Sequence, residues 1–174
     1  LLSLVLRRDG YSKLPKDNRW GTFPGISAGW VLSRENFMES CSNVLSYAKI
    51  RASYGANGNV SGVLDANGNV VTGLDYYTVQ GSYGIMKDKD GKIVPNYNGK
   101  VPLMINDLPN PTMRWEKSYT FETGFDIGFL NNKYILNFTY YNRHTQDKFA
   151  EITLPSHSGV SSFLSNNGEV QNQG

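Results

Sequence analysis

The sequence predicts an all-β protein made of a meander of long antiparallel strands, and three observations carry that prediction. Apolar and polar side chains alternate with period two along several stretches, two of them about 11 residues or more. Aromatic residues reach 13% and Gly numbers 18 in a chain that is only 39% hydrophobic. That combination marks many strands and many turns, and it is the profile of a transmembrane barrel, in which one strand residue in two faces lipid. Finally, there is no run of 18 apolar residues, so no helix of this chain is predicted to cross a membrane.

At the start of the chain, Leu2, Leu4 and Leu6 alternate with Ser3, Val5 and Arg7 and predict a first strand. After a polar loop over 9–21, Phe23 to Ser33 reads as a second. It sets Pro24, Ile26, Ala28, Trp30 and Leu32 on one side and Phe23, Gly25, Ser27, Gly29 and Val31, mostly small, on the other. Arg34 to Asn43 is a polar connection with Phe37 and Met38 as anchors, and the sole cysteine, Cys41, is expected there as a small apolar filler. In the third strand Ala48, Ile50, Ala52 and Tyr54 oppose Tyr47, Lys49, Arg51 and Ser53. An apolar side and a charged side at period two fit a wall between lipid and a wet lumen.

From Gly55 to Trp115 the chain reads as one long loop, a length that implies function or local structure. Hairpin turns are predicted at Asn67-Gly68 and Asp90-Gly91. Between them Asp75 to Gly84 is aromatic and has strand character, while Pro95, Pro102, Pro109 and Pro111 keep the chain irregular. The clearest hairpin follows. Phe121, Phe125, Ile127 and Phe129 share one side of a strand, and Tyr134, Leu136, Phe138 and Tyr140 share one side of the next. A turn centred on Asn131-Asn132 sets Phe129 opposite Tyr134, Ile127 opposite Leu136, Phe125 opposite Phe138 and Thr123 opposite Tyr140. A slip by one residue would scramble that apolar side, so the register is strongly specified.

Several functions find no support. The net charge of +2 is scattered, with no basic run for nucleic acid. One cysteine permits no internal disulfide. His144 and His157 have neither partners nor spacing for zinc. The run Asp88-Lys89-Asp90-Gly91 lacks the later ligands of a calcium loop and reads as a hairpin turn. Glu122 and Asp126 lie on one strand, without the convergence across a cleft that glycoside hydrolysis needs. No enzyme constellation and no cofactor motif is present. In loops, Trp20, Tyr76, Tyr77, Tyr83 and Tyr97 either stack on a ligand or pack the loop itself. Trp30 and Trp115 are expected at membrane interfaces.

Four blocks carry a resemblance to a known family. They are RRDGYSKLPKDNRWGTFPGISAGW (7–30) with SRENFMES (33–40), KIRASYGANGN (49–59), NPTMRWEKSYTFETGFDIGFLNNKYILNFTYYNRHTQDKF (110–149) and LPSHSGVSSFLSNNGEVQNQG (154–174). In this order they resemble the later barrel strands of SusC-like TonB-dependent outer-membrane transporters. The resemblance implies that residues 1–174 are part of a 22-stranded plugged barrel, in a chain lacking the plug and the N-terminal extension. It implies import of oligosaccharides or peptides across the outer membrane, a SusD-like surface lipoprotein as partner, and energy from the TonB complex. Arg7, Lys49, Arg51, Glu122 and Asp126 would face the lumen. Phe121, Phe125, Ile127, Leu136 and Phe138 would face the bilayer. Loops at 9–21, 55–115 and 150–166 would be extracellular. The alternative is a secreted β-sandwich that binds glycans through loop tyrosines.

Overall fold

The computed structural model describes residues 1–174 apart from 42–43, 65–69, 75 and 95–96; at 41, 64, 70–72, 76, 77, 97 and 156 it describes the backbone alone. In chain order the strands are β1 (Leu2–Gly10), β2 (Trp20–Val31), β3 (Leu45–Asn59), β4 (Val63–Leu64), β5 (Val70–Thr72), β6 (Ser82–Ile85), β7 (Leu103–Asp107), β8 (Glu116–Phe129), β9 (Tyr134–Thr153) and β10 (Ser162–Gln173). A single helical turn, α1 (Tyr76–Gln80), stands between β5 and β6. Six strands form one antiparallel sheet in the order β1-β2-β3-β8-β9-β10. β4 with β5, and β6 with β7, make two small ribbons inside the long connection from β3 to β8.

The register of β8 on β9 is the one the sequence predicts: Phe129–Tyr134, Ile127–Leu136, Phe125–Phe138 and Thr123–Tyr140. Its turn uses three consecutive left-handed residues, Leu130, Asn131 and Asn132, with φ of 50°, 58° and 60°. Asn tolerates that conformation. Leu130 does not favour it, and is fixed by its N–H donating to the Val44 carbonyl at 2.9 Å. The neighbouring Asn131 N–H donates to Ser46 Oγ at 2.6 Å. In β2, Pro24 sits one residue beyond Gly25–Gly55, where the ladder with β3 ends. The donor that proline lacks therefore falls outside that ladder.

The structure corrects the sequence reading mainly at strand ends. β2 starts at Trp20 and stops at Val31, so Leu32 belongs to a 3₁₀ turn, Leu32–Arg34. Pairing reaches Gly10–Trp20, Asn59–Glu116 and Thr153–Ser162. The first and last loops therefore shrink to 11–19 and 154–161. Polar residues carry ladders as well as apolar ones do, because the hydrogen bonds belong to the backbone. Asp75 to Gly84 is not one strand: α1 ends at Gln80, and Gly81 at φ 76° turns the chain before β6. The Asp90-Gly91 turn forms as predicted, with Gly91 at φ 77°, a Lys87–Ile93 bridge, and Asp88 Oδ1 accepting from the N–H groups of Asp90 and Lys92. The Asn67-Gly68 turn lies outside the described residues, although β4 and β5 on either side of it pair.

The buried core lies at the end of the sheet where the long loops leave. Leu14, Leu74 and Met113 from the loops pack with Phe23, Trp115, Phe149 and Leu164. Trp115 is thus a core residue and not an interfacial one. It is 7% exposed, meets Phe23 edge to face at 5.5 Å, and donates from Nε1 to the Arg19 carbonyl. It lies just before β8, where strand alternation no longer sets its direction. Met113 is fully buried, so Met113→Ala in the full-length protein should cost about 2–5 kcal/mol. Denaturant unfolding followed by probes on the loops around Leu14, Leu74 and Met113 should detect that loss.

Candidate functional site

The feature that matters is the pair of faces of the six-stranded sheet. Register lines up one face in rows. Leu4, Ile26, Tyr54 and Phe121 form one row, and Leu2, Ala28, Ala52, Thr123 and Tyr140 the next. Trp30, Ile50, Phe125 and Phe138 follow, then Ala48, Ile127 and Leu136, then Phe129 and Tyr134. The rings of Phe125 and Phe138 stack at 5.2 Å. Most of this face is uncovered: Ile50 is 45% exposed and Phe138 52%. Soluble monomers rarely show a contiguous apolar patch beyond a few hundred Å². At the tight-turn end, Trp30 meets Phe37 edge to face at 6.3 Å and donates from Nε1 to Glu35 at 2.8 Å.

On the opposite face stand Arg7, Lys49, Arg51, Glu122 and Asp126, which sequence reasoning grouped together, along with Ser27, Ser53, Thr139, Tyr141 and Arg143. Arg51 lies 3.6 Å from Asp126 and donates to Thr139 Oγ1 at 2.5 Å. To reach Thr139 it must cross β8, and it does so over Gly124, whose Cβ, if present, would be 3.3 Å from the guanidinium. Arg7 pairs with Asp9 at 2.7 Å and lies over the Phe23 ring. Lys49, Arg51, Ser53 and Glu122 line a shallow depression with Ser27 and Gly29. These charges stay hydrated, so their pairs add little stability.

A third group, at the loop end, is marked by no sequence pattern apart from one turn. Glu116 is 3% exposed; its Oε1 accepts from the Phe149 N–H at 2.6 Å and its Oε2 from Asn59 Nδ2 at 2.7 Å. Asn110 Nδ2 donates to the Leu164 carbonyl, while its Oδ1 accepts from the N–H and hydroxyl of Thr112. Asn166 Nδ2 donates to the carbonyls of Arg114 and Asp147, and its Oδ1 accepts from the Arg114 N–H. Arg114 Nη2 meets Asp147 Oδ1 at 2.6 Å. That hydrogen bond, helped by the carboxylate's charge and opposed by burial, holds the guanidinium pKa above its ordinary value. Together these bonds fasten the loops to the strand ends. The Asn-Pro-Thr of 110–112 is a readable turn signal. Nothing in the sequence marks Asp147, which adopts φ 57° where β9 becomes irregular against β10.

Of the loop aromatics, the two whose side chains are described, Trp20 and Tyr83, stand on separate sheets. Trp20 stands in β2 at the loop end of the apolar face, with Arg8 over its ring at 5.2 Å. Tyr83 is 75% exposed in β6, on a separate ribbon. The side chains of Tyr76, Tyr77 and Tyr97 lie outside the described residues. His144 Nε2 meets Glu169 Oε1 at 2.5 Å. Among the described residues no group of three metal-binding side chains occurs.

Long antiparallel strands, one uncovered apolar face and one charged face define a wall segment of a β-barrel. The family model for the TonB dependent receptor-like β-barrel matches residues 1–174, and the chain belongs to that family. It is 33% identical over 174 residues to TonB-dependent receptor P3 of Formosa agariphila and 31% identical over 175 residues to TonB-dependent receptor SusC of Bacteroides thetaiotaomicron. Each alignment covers 100% of this chain and 16% of the relative. The structure of the RagAB peptide importer in the closed-closed state superposes with a TM-score of 0.75 at 24% identity, over 99% of this chain and 17% of that one. The resemblance to the SusC-like family therefore holds, and the reading as a secreted β-sandwich is overturned.

The two kinds of polar contact at the loop end should separate on mutation. Glu116→Ala leaves two donors unpaired in a buried setting and should cost about 2–5 kcal/mol. Asp147→Asn removes one partly exposed ion pair and should cost about 1 kcal/mol or less. Thermal unfolding of each variant in detergent checks the ratio.

Proposed function

We propose that this chain is a barrel-wall segment of an outer-membrane, TonB-dependent importer of oligosaccharides or peptides that works with a SusD-like lipoprotein. The observation that carries the reading is the uncovered apolar face, backed by a face bearing Arg7, Lys49, Arg51, Glu122 and Asp126. In this reading the apolar face, with Phe121, Phe125, Ile127, Leu136 and Phe138, meets the bilayer, and the charged face lines the wet interior.

Dimensions support the assignment. The ten steps from Tyr119 to Phe129 span roughly 33 Å along β8. At a tilt of about 40° that is a height of about 25 Å, the apolar band of an outer-membrane barrel. The tilt itself can be read from the register. Polar residues take over above Leu6 on β1, at Arg8, and above Tyr140 on β9, at Asn142. Tyr140 is level with Leu2, four residues lower than Leu6. A drop of roughly 13 Å over four strand spacings of about 4.8 Å gives a slant of about 35°, within the range such barrels adopt.

The tight Leu130–Asn132 turn would be periplasmic and the loops 11–19, 60–115 and 154–161 extracellular, since barrels of this kind keep short turns inside. Substrate would pass the charged face, where Arg51 is held by Asp126 and Thr139. The TonB complex would act through parts of the protein outside this segment.

Phe125→Arg in the full-length protein should reduce the folded, heat-modifiable fraction in outer membranes, because an arginine at mid-bilayer costs about 2–4 kcal/mol. Its neighbour on the other face should behave differently: Asp126→Asn should assemble like the unsubstituted protein. Equal behaviour of the two variants in a gel-shift assay would contradict the assignment of faces.

A further inference from the structure

At the loop end a cavity of about 280 Å³ opens between the base of the β6–β7 ribbon and the β9–β10 corner. Its apolar wall is Leu108, Phe163 and Leu164, and its polar groups include Asn106, Asp107 and Glu151. No Lys, Arg or His is among its described lining residues, so two carboxylates share it without a cation. The volume is at the small end for a ligand site, where the range begins near ~300 Å³. That is room for one side chain or one sugar ring.

Each carboxylate is anchored from its own strand pair. Register sets Asp107 opposite Ser82 and Glu151 opposite Leu164. Ser82 Oγ donates to Asp107 Oδ2, and Ser162 Oγ donates to Glu151 Oε1. One oxygen of each acid is thereby taken. Asp107 Oδ1 and Glu151 Oε2 accept no hydrogen bond among the described residues. Asn106 is fixed as well: its amide lies over Gly84, where a Cβ would collide with it.

We propose that this cavity takes a primary ammonium group carried by the imported substrate. The proposal rests on the function proposed above and narrows it to substrates that bear an amine. An ionised carboxylate only accepts hydrogen bonds, and an ammonium only donates them, through three N–H groups. Asp107 Oδ1, Glu151 Oε2 and the Asn106 amide oxygen supply three acceptors from two sides of one cavity. A guanidinium fits less well. Its fork pairs with both oxygens of one carboxylate, and here a serine already holds one oxygen of each acid. An anion would be repelled, and a metal ion would lack a third acidic, thiol or imidazole ligand among the described residues. The stem of a lysine, or the ring of an amino sugar, would lie against Leu108 and Phe163 while the charged group stays at the polar side.

The test uses the full-length protein in detergent, titrated calorimetrically with matched probes. One pair is a glucosamine oligosaccharide and its N-acetylated form. The other is a lysine peptide blocked at both ends and its Nε-acetyl-lysine form. In at least one pair the amine should bind at least about tenfold more tightly than its acetylated partner, and the pair that shows it identifies the source of the ammonium. Asp107→Asn and Glu151→Gln should each reduce that preference, and the double variant should abolish it while remaining heat-modifiable on a gel. Asp90→Asn, which removes an exposed carboxylate at the ribbon tip outside the cavity, should leave it intact. Equal binding of amine and acetylated forms in both pairs overturns the proposal. So does a preference that survives the double variant, or one that Asp90→Asn removes. Localisation of the full-length protein away from the outer membrane would instead sink the underlying reading and leave the binding result standing.

Discussion

The backbone of a strand sends successive side chains to opposite sides, and everything else in this chain is built on that constraint. Once Phe125 is placed against Phe138, the parity of β8 and β9 is fixed along their whole length. β3 follows through Ile50, β2 through Trp30 and β1 through Leu2. One face becomes apolar and the other charged without any further choice. Edge and ring contacts then refine the arrangement, as where Arg51 crosses Gly124 to Thr139.

The loop end obeys different rules. There strand alternation stops, and burial is achieved by side chains that arrive from distant parts of the chain. Phe23 and Trp115 meet Leu14, Leu74 and Met113, and Glu116, Asn110 and Asn166 pair with the backbone groups of Phe149, Leu164 and Arg114 beside them. The result is a fixed rim from which the β6–β7 ribbon projects. The tight-turn end needs less: three left-handed residues and a hydroxyl from Ser46 close it.

This division explains what was legible in the sequence. The β8–β9 register, the parity of Lys49, Arg51, Glu122 and Asp126, and the Asp90-Gly91 turn were all readable, because each depends on period-two alternation or on local turn chemistry. Strand ends were misjudged at Gly10, Asn59 and Thr153, since a ladder continues on backbone bonds whatever the side chains are. Trp115 was misplaced because its surroundings come from residues as distant as Leu14 and Leu164. A polar stretch before Trp20 gives it the look of a loop residue, whereas pairing with Gly10 draws it into β2. The hub at Arg114, Asp147 and Asn166 joins three separate segments through the bonds of Asn166 and Arg114, with Asp147 in a left-handed backbone conformation. No local pattern encodes that.

The most direct measurement is cysteine-accessibility labelling of the full-length protein in native outer membranes, in a Cys41→Ser background. Single cysteines at 121, 125, 127, 136 and 138 should resist a membrane-impermeant thiol reagent, and cysteines at 49, 51, 122 and 126 should react. Free reaction at the first five positions would contradict the account.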